Sequence, residues 1–152
     1  MPVWVRGLAI ILVVLSLFVT PLSSSASDEN VYIDAIGALS GSYLYMAYAY
    51  IGVTADAYSK NIYPASQVKL MMEEKVNFLD KLMQRLQQVQ ATNLAPKDKQ
   101  FVESMIEIFG LLKTEAQSLA AFAATNSPTD VEKYDLARKQ AWPKIKILLG
   151  IK

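Results

Sequence analysis

The sequence predicts an all-α protein: an antiparallel, up-down four-helix bundle that follows an N-terminal signal peptide. Three observations carry this. The first 26 residues have the layout of a secretory leader. Prolines at 64, 96 and 128 punctuate a chain otherwise rich in Ala, Leu, Met, Glu, Gln and Lys, all strong helix formers. Between those prolines, apolar residues recur at spacings of three and four, the period of one helix face.

The leader begins MPVWVR, with Arg6, and continues as the apolar run GLAIILVVLSLFV over 7–19. A transmembrane helix needs about 20 apolar residues, and this run is shorter, so a cleaved signal is favoured over an anchor. TPLSSSASDEN then turns small, polar and acidic, and Ser24 and Ala26 supply the small residues that precede a cut. The expected domains are therefore a signal peptide over 1–26 and a helical bundle over 27–152.

Proline is well placed in the first turn of a helix, where its missing N–H would have no partner anyway. Read as helix starts, the prolines give helices over 30–60, 65–93, 96–125 and 128–149. The first contains YLYMAYAYI, and no residue from 35 to 55 is charged. Strand-like alternation of its tyrosines fails for want of flanking turns and of a second alternating segment. At about 100° per residue, Tyr43 and Tyr50 share one face, and Tyr45 and Tyr48 share a nearly opposite one. Such a helix is buried on two sides, or buried on one and met by a partner on the other. Tyrosines in mid-segment, with Ser, Thr and Gly, argue for the centre of a bundle rather than a membrane span.

In the second helix Met72, Val76, Leu79, Met83 and Leu86 form one apolar seam, widened by Val68, Leu82 and Val89. The third repeats this with Phe101, Met105, Ile108, Leu112, Leu119 and Phe122. The fourth opens with Ser127-Pro128-Thr129-Asp130, where Ser127 is placed to cap and Asp130 to close a capping box. Its stripe is Val131, Tyr134, Ala141, Ile145 and Leu148. Pro143 lies inside it, and a kink or a break is expected there.

The chain has no cysteine and no histidine. That removes disulfides, the usual zinc sites, His-ligated haem and the usual catalytic triads. No cofactor and no metal is expected. An exported domain without disulfides and without an N-x-[ST] site fits a bacterial periplasm or envelope. The 15 basic and 14 acidic residues balance once Arg6 leaves with the leader, so nothing suggests nucleic-acid binding.

Several residues are candidates for function. Tyr43, Tyr45, Tyr48 and Tyr50 can pack the core or line a pocket for a small apolar or aromatic ligand. Arg138 interrupts the seam of the fourth helix and needs a partner; Asp34 and Asp56, at the ends of the uncharged stretch, are the expected ones, in an ion pair that fixes helix register. Gly37 and Gly41 form G-x-x-x-G, a tight helix crossing or a dimer face. Trp142, Lys144 and Lys146 lie in the basic, apolar tail, which packs into the bundle end or touches a partner or an anionic membrane surface. Glu103, Glu107 and Glu115 are expected on the solvated surface. The function these features favour is non-enzymatic: an exported envelope bundle that binds a protein partner or itself. The alternative is a carrier or sensor of a small ligand in a tyrosine-lined core.

Overall fold

The structure, a computed structural model, describes residues 26–151, with side chains from Ala35 onward. The expected leader lies outside the described residues but for Ala26. Four α-helices occupy the described residues, with no strand among them: α1 Ala26–Ser59, α2 Ala65–Gln90, α3 Pro96–Thr125 and α4 Pro128–Leu149. The chain divides into two units within α1, between Ala35 and Ile36. The packing that follows is that of the second unit.

Pro96 and Pro128 open α3 and α4 as their first residues. Pro64 sits one residue outside α2, extended at φ −71° and ψ 154°. Two helix ends use asparagine in the left-handed region, which Asn tolerates better than most residues. Asn61 (φ 55°) follows α1 and Asn126 (φ 53°) ends α3. The Asn126 N–H donates to the Phe122 carbonyl at 2.8 Å, so the turn keeps one of its terminal bonds.

The capping of α4 differs from expectation. The Ser127 side chain makes no cap bond. Its backbone N–H instead donates to Thr125 Oγ1 at 3.1 Å, and the Thr125 hydroxyl lies 3.3 Å from Asp130 Oδ2. The preceding helix thus satisfies the donor that a capping box would have served. The break considered at Pro143 does not occur, because α4 runs unbroken to Leu149. Pro143 and Lys139 are exposed, so the carbonyl freed by proline can be hydrated. Ala141 and Ile145, on either side, are fully buried and anchor the helix through the proline.

α3 is the centre of the core and packs on both α2 and α4. Its buried residues include Met105, Ile108, Leu112, Ala116 and Leu119. α1 contributes Leu44, Ala47 and Ile51, α2 contributes Val68, Met72 and Leu79, and α4 contributes Ala137, Ala141 and Ile145. Each fully buried Leu, Ile or Met is worth roughly 2 kcal/mol of transfer free energy. The small residues of α4 let its backbone come close.

Asn126→Ala is expected to lower stability by about 1 kcal/mol, because a Cβ without a local hydrogen-bonding group is strained there; Asn126→Gly should lower it less. Denaturant midpoints of the two variants check this, and equal midpoints would contradict it.

Candidate functional site

The four tyrosines of α1 separate as the helical period requires. Tyr43 and Tyr50 turn toward α2, where the Lys75 ammonium stands 4.5 Å from the Tyr50 ring and 5.7 Å from the Tyr43 ring. Tyr43 also meets Phe78 and Phe109, with ring centres 5.4 and 6.0 Å away. Tyr45 and Tyr48 turn toward α4, and Tyr48 stacks on Trp142 at 5.2 Å. Burial pushes the phenols of Tyr43, Tyr48 and Tyr50 above the usual range and pulls the Lys75 amine below it. The Tyr43 hydroxyl is buried without a hydrogen-bond partner.

Beside Tyr48 lies a polar contact that joins three helices. Arg138 Nη1 donates to Glu115 Oε1 at 2.7 Å and to the Tyr48 carbonyl at 3.2 Å. The guanidinium carbon also sits 4.0 Å from the Tyr48 ring centre, a cation–π contact. One side chain of α4 thereby ties α3 to α1. The sequence reading placed Arg138 in an ion pair, and that holds; the partner is corrected to Glu115. Asp56 lines the same cleft of about 360 Å³ as Arg138, with Tyr58, Tyr134 and Asp135, but no ion pair joins the two among the described residues. The side chain of Asp34 lies outside the described residues.

Glu115 is the second correction. It is wholly buried, not solvated. It continues the α3 seam Met105, Ile108, Leu112 with the next spacing of three, and Leu119 follows four later. Its Oε2 has no partner. Burial pushes its carboxyl up to about 7, against the pull of the Arg138 hydrogen bond and charge. Burial likewise pushes the nearby Tyr134 phenol up to about 12.

Gly52 was not singled out by sequence reasoning and makes this arrangement geometrically possible. A Cβ there would collide with both terminal guanidinium nitrogens and the guanidinium carbon of Arg138. Gly52 also lies four residues beyond Tyr48, where a side chain would shield the carbonyl that Arg138 reaches. The signal available in the sequence was a glycine in mid-helix, which is unfavourable unless something must come close.

The other candidates are mostly engaged within the bundle. Gly41 is buried, and a Cβ on it would lie 2.5 Å from the end of Leu149; one on Gly37 would meet Phe101 at 3.4 Å. Both glycines of this G-x-x-x-G thus lie beside side chains of other helices of the same chain. Trp142 lies on Tyr48, Lys144 pairs with Glu107 at 3.0 Å, and Lys146 stands 6.0 Å from the Trp142 ring. Glu103 is exposed and accepts from Gln90 at 3.1 Å. Ile147, in the same tail, is 82% exposed.

The outward face of α1 has a different character. Ile36, Leu39, Met46 and Val53 are 59, 72, 65 and 65% exposed, and no charged side chain interrupts them. Among the described residues, no helix is long and apolar enough to cross a membrane, and no three acidic side chains are grouped to hold a metal. Fold and site together define a helical bundle with a buried interhelical ion pair and one uncharged outer helix face. Comparison with protein-family models, curated proteins and solved structures finds no match to this chain.

Removing Arg138 alone, as Arg138→Met, leaves a buried carboxyl unpaired and should cost about 3 kcal/mol. The double variant Glu115→Leu/Arg138→Met should recover most of that loss, as read from denaturant midpoints. A double variant no better than the single would mean that the pairing is not what stabilises. A pH dependence follows from the same residue. The fold holds the Glu115 proton more tightly than the unfolded chain, so this contribution is complete below pH 4.5 and lost as pH rises through about 7. At about 1.4 kcal/mol per pH unit, wild type should lose roughly 3 kcal/mol across that window relative to Glu115→Gln. A gap between the two proteins that does not change with pH would contradict the assignment.

Proposed function

We propose that this chain is an exported, non-enzymatic bundle of the bacterial periplasm or envelope, acting by binding a protein partner or a second copy of itself. The observation that carries the reading is the uncharged apolar face of α1, exposed from Ile36 to Val53. Helices at a protein surface ordinarily turn charged residues to water, and contiguous exposed apolar surface marks association sites. The leader-like residues 1–26 support export, and the short links at 60–64, 91–95 and 126–127 support an up-down antiparallel order of helices. The basic tail, with exposed Ile147, is a secondary candidate for contact with a partner or a membrane surface.

The test is photo-crosslinking in whole cells, with the full chain expressed behind its own leader. A photoreactive residue at Met46 is expected to give adducts above the mass of the chain, and one at exposed Glu132 on α4 none. Bare chain from both positions would count against the reading. Cell fractionation with a mass measurement of the recovered chain addresses export; an uncut chain in the cytosolic fraction would contradict it.

A second reading, a carrier or sensor of a small apolar or aromatic ligand, has one observation in its favour. The unpartnered Tyr43 hydroxyl belongs to a residue lining a cleft of about 240 Å³, with Leu39, Leu82, Arg85, Leu86 and Phe109. That volume is below the roughly 300–1,000 Å³ of drug-sized sites, so a small ligand with one polar group is what it suits. Tyr45, Tyr48 and Tyr50 line neither this cleft nor the one at Asp56. Native mass spectrometry of protein from its own host is expected, on this reading, to show an adduct that Tyr43→Phe weakens. Equal adducts on both proteins, or none on either, would remove it.

A further inference from the structure

We propose that the C-terminal half of α4 rests its outward face on an anionic membrane surface. The proposal takes up the reading of the basic tail as a contact surface and names what it contacts.

A helix at a protein surface ordinarily turns polar and charged side chains straight outward. On α2 the line from Glu73 through Asn77, Lys81 and Gln84 to Gln88 is exposed and polar throughout. α4 is arranged the other way round. At about 100° per residue, Leu136, Gln140, Pro143 and Ile147 fall within about 60° of one another. All four are exposed, Leu136 to 59% and Ile147 to 82%, and of the four only Gln140 is polar. The lysines stand at the edges of this strip. Lys144 is about 60° to one side of Ile147, and Lys139 and Lys146 are about 80° and 100° to the other. The strip is about 16 Å long at 1.5 Å per residue, and exposed Ile151 extends it past the helix end.

Charge names the partner. From Leu136 to the end of the chain the charged residues are Arg138, Lys139, Lys144, Lys146 and Lys152, all basic. The nearest acids of α4, Glu132 and Asp135, precede the strip. Arg138 is held by buried Glu115, and Lys144 by exposed Glu107 in a surface pair that water already weakens. Lys139 and Lys146 have no ion-pair partner among the described residues. α1 offers none along that edge, where its Tyr45 meets Trp142, because no residue from 35 to 55 is charged. The uncompensated charge is therefore positive and suits a negative surface.

The shape of the pattern suits a planar one. Aliphatic side chains along the middle enter the headgroup region, and lysine stems on both edges follow them while their ammonium groups reach the phosphates. Tyr45, 46% exposed beside Trp142, adds an aromatic group of the kind that favours the boundary between apolar and wet.

The chain has no cysteine, so a single introduced one can carry a reporter. In the full chain, Gln140→Cys labelled with an environment-sensitive dye should shift to the blue on vesicles of equal parts phosphatidylglycerol and phosphatidylcholine, and not on phosphatidylcholine alone. The same dye at Gln88→Cys should shift on neither, since α2 and α4 do not meet among the described residues. Lys139→Gln combined with Lys146→Gln should raise the lipid concentration at half-shift about 30-fold, because each lysine at such a surface contributes about fivefold. Its helical circular dichroism should be retained. Vesicle binding through the apolar run 7–19 would not depend on these lysines. A silent dye at position 140 on anionic vesicles would overturn the proposal. So would an equal shift on neutral vesicles, an equal shift at position 88, or a lysine variant that binds as wild type does. A silent dye together with protein adducts from a photoreactive residue at Ile147 would give this face to a protein instead. The association reading of α1 stands or falls separately, on the crosslink at Met46, which vesicles do not report.

Discussion

The contact between Arg138 and Glu115 sets terms for everything around it. A charged pair in a helical core is not by itself a source of stability, because desolvating both groups offsets their attraction. Here the pair is knitted further. The guanidinium also reaches a backbone carbonyl of α1 and lies on the Tyr48 ring, and that ring lies on Trp142. Three helices are therefore referred to one side chain. The apolar seams bring the helices together, and the pair decides which faces meet.

Much of the fold was legible in the sequence, for simple reasons. Prolines and apolar spacing placed four helices to within a few residues, because a helix start and a buried stripe are both local patterns. The sorting of the α1 tyrosines into two faces followed from angle alone; that those faces meet α2 and α4 came only from the packing. The site was less legible. Glu115 occupied a seam position by spacing, but its charge suggested the surface, and burial depended on a partner on another helix. Asp34 and Asp56 looked the better partners because they bound the uncharged stretch; in three dimensions Glu115 is a carboxylate that reaches the guanidinium. Gly37 and Gly41 were visible as a pair, yet their neighbours, Phe101 and Leu149, could come only from the packing.

α1 is two helices in one. Its inner half is held by core contacts and by the tie to Arg138, and its outer half keeps apolar side chains in water over the same length. A chain that needed only to fold would have little reason to leave Leu39, Met46 and Val53 where they are. The rigidity of the inner half bears on the outer half, because a seam fixed in angle and height presents its side chains with little ordering left to do on association.

Gly52 carries a consequence for how this sequence can vary. A side chain at 52 is compatible with a shorter residue at 138, since the guanidinium occupies the space a Cβ would take. A shorter, uncharged residue at 138 leaves a carboxylate at 115 alone in the core, which favours a neutral residue there as well. Three positions far apart in the chain, on three helices, thus behave as one inherited unit. Drift at any of them is tolerated chiefly when the other two follow, and related sequences should carry either the whole set or a wholly apolar replacement.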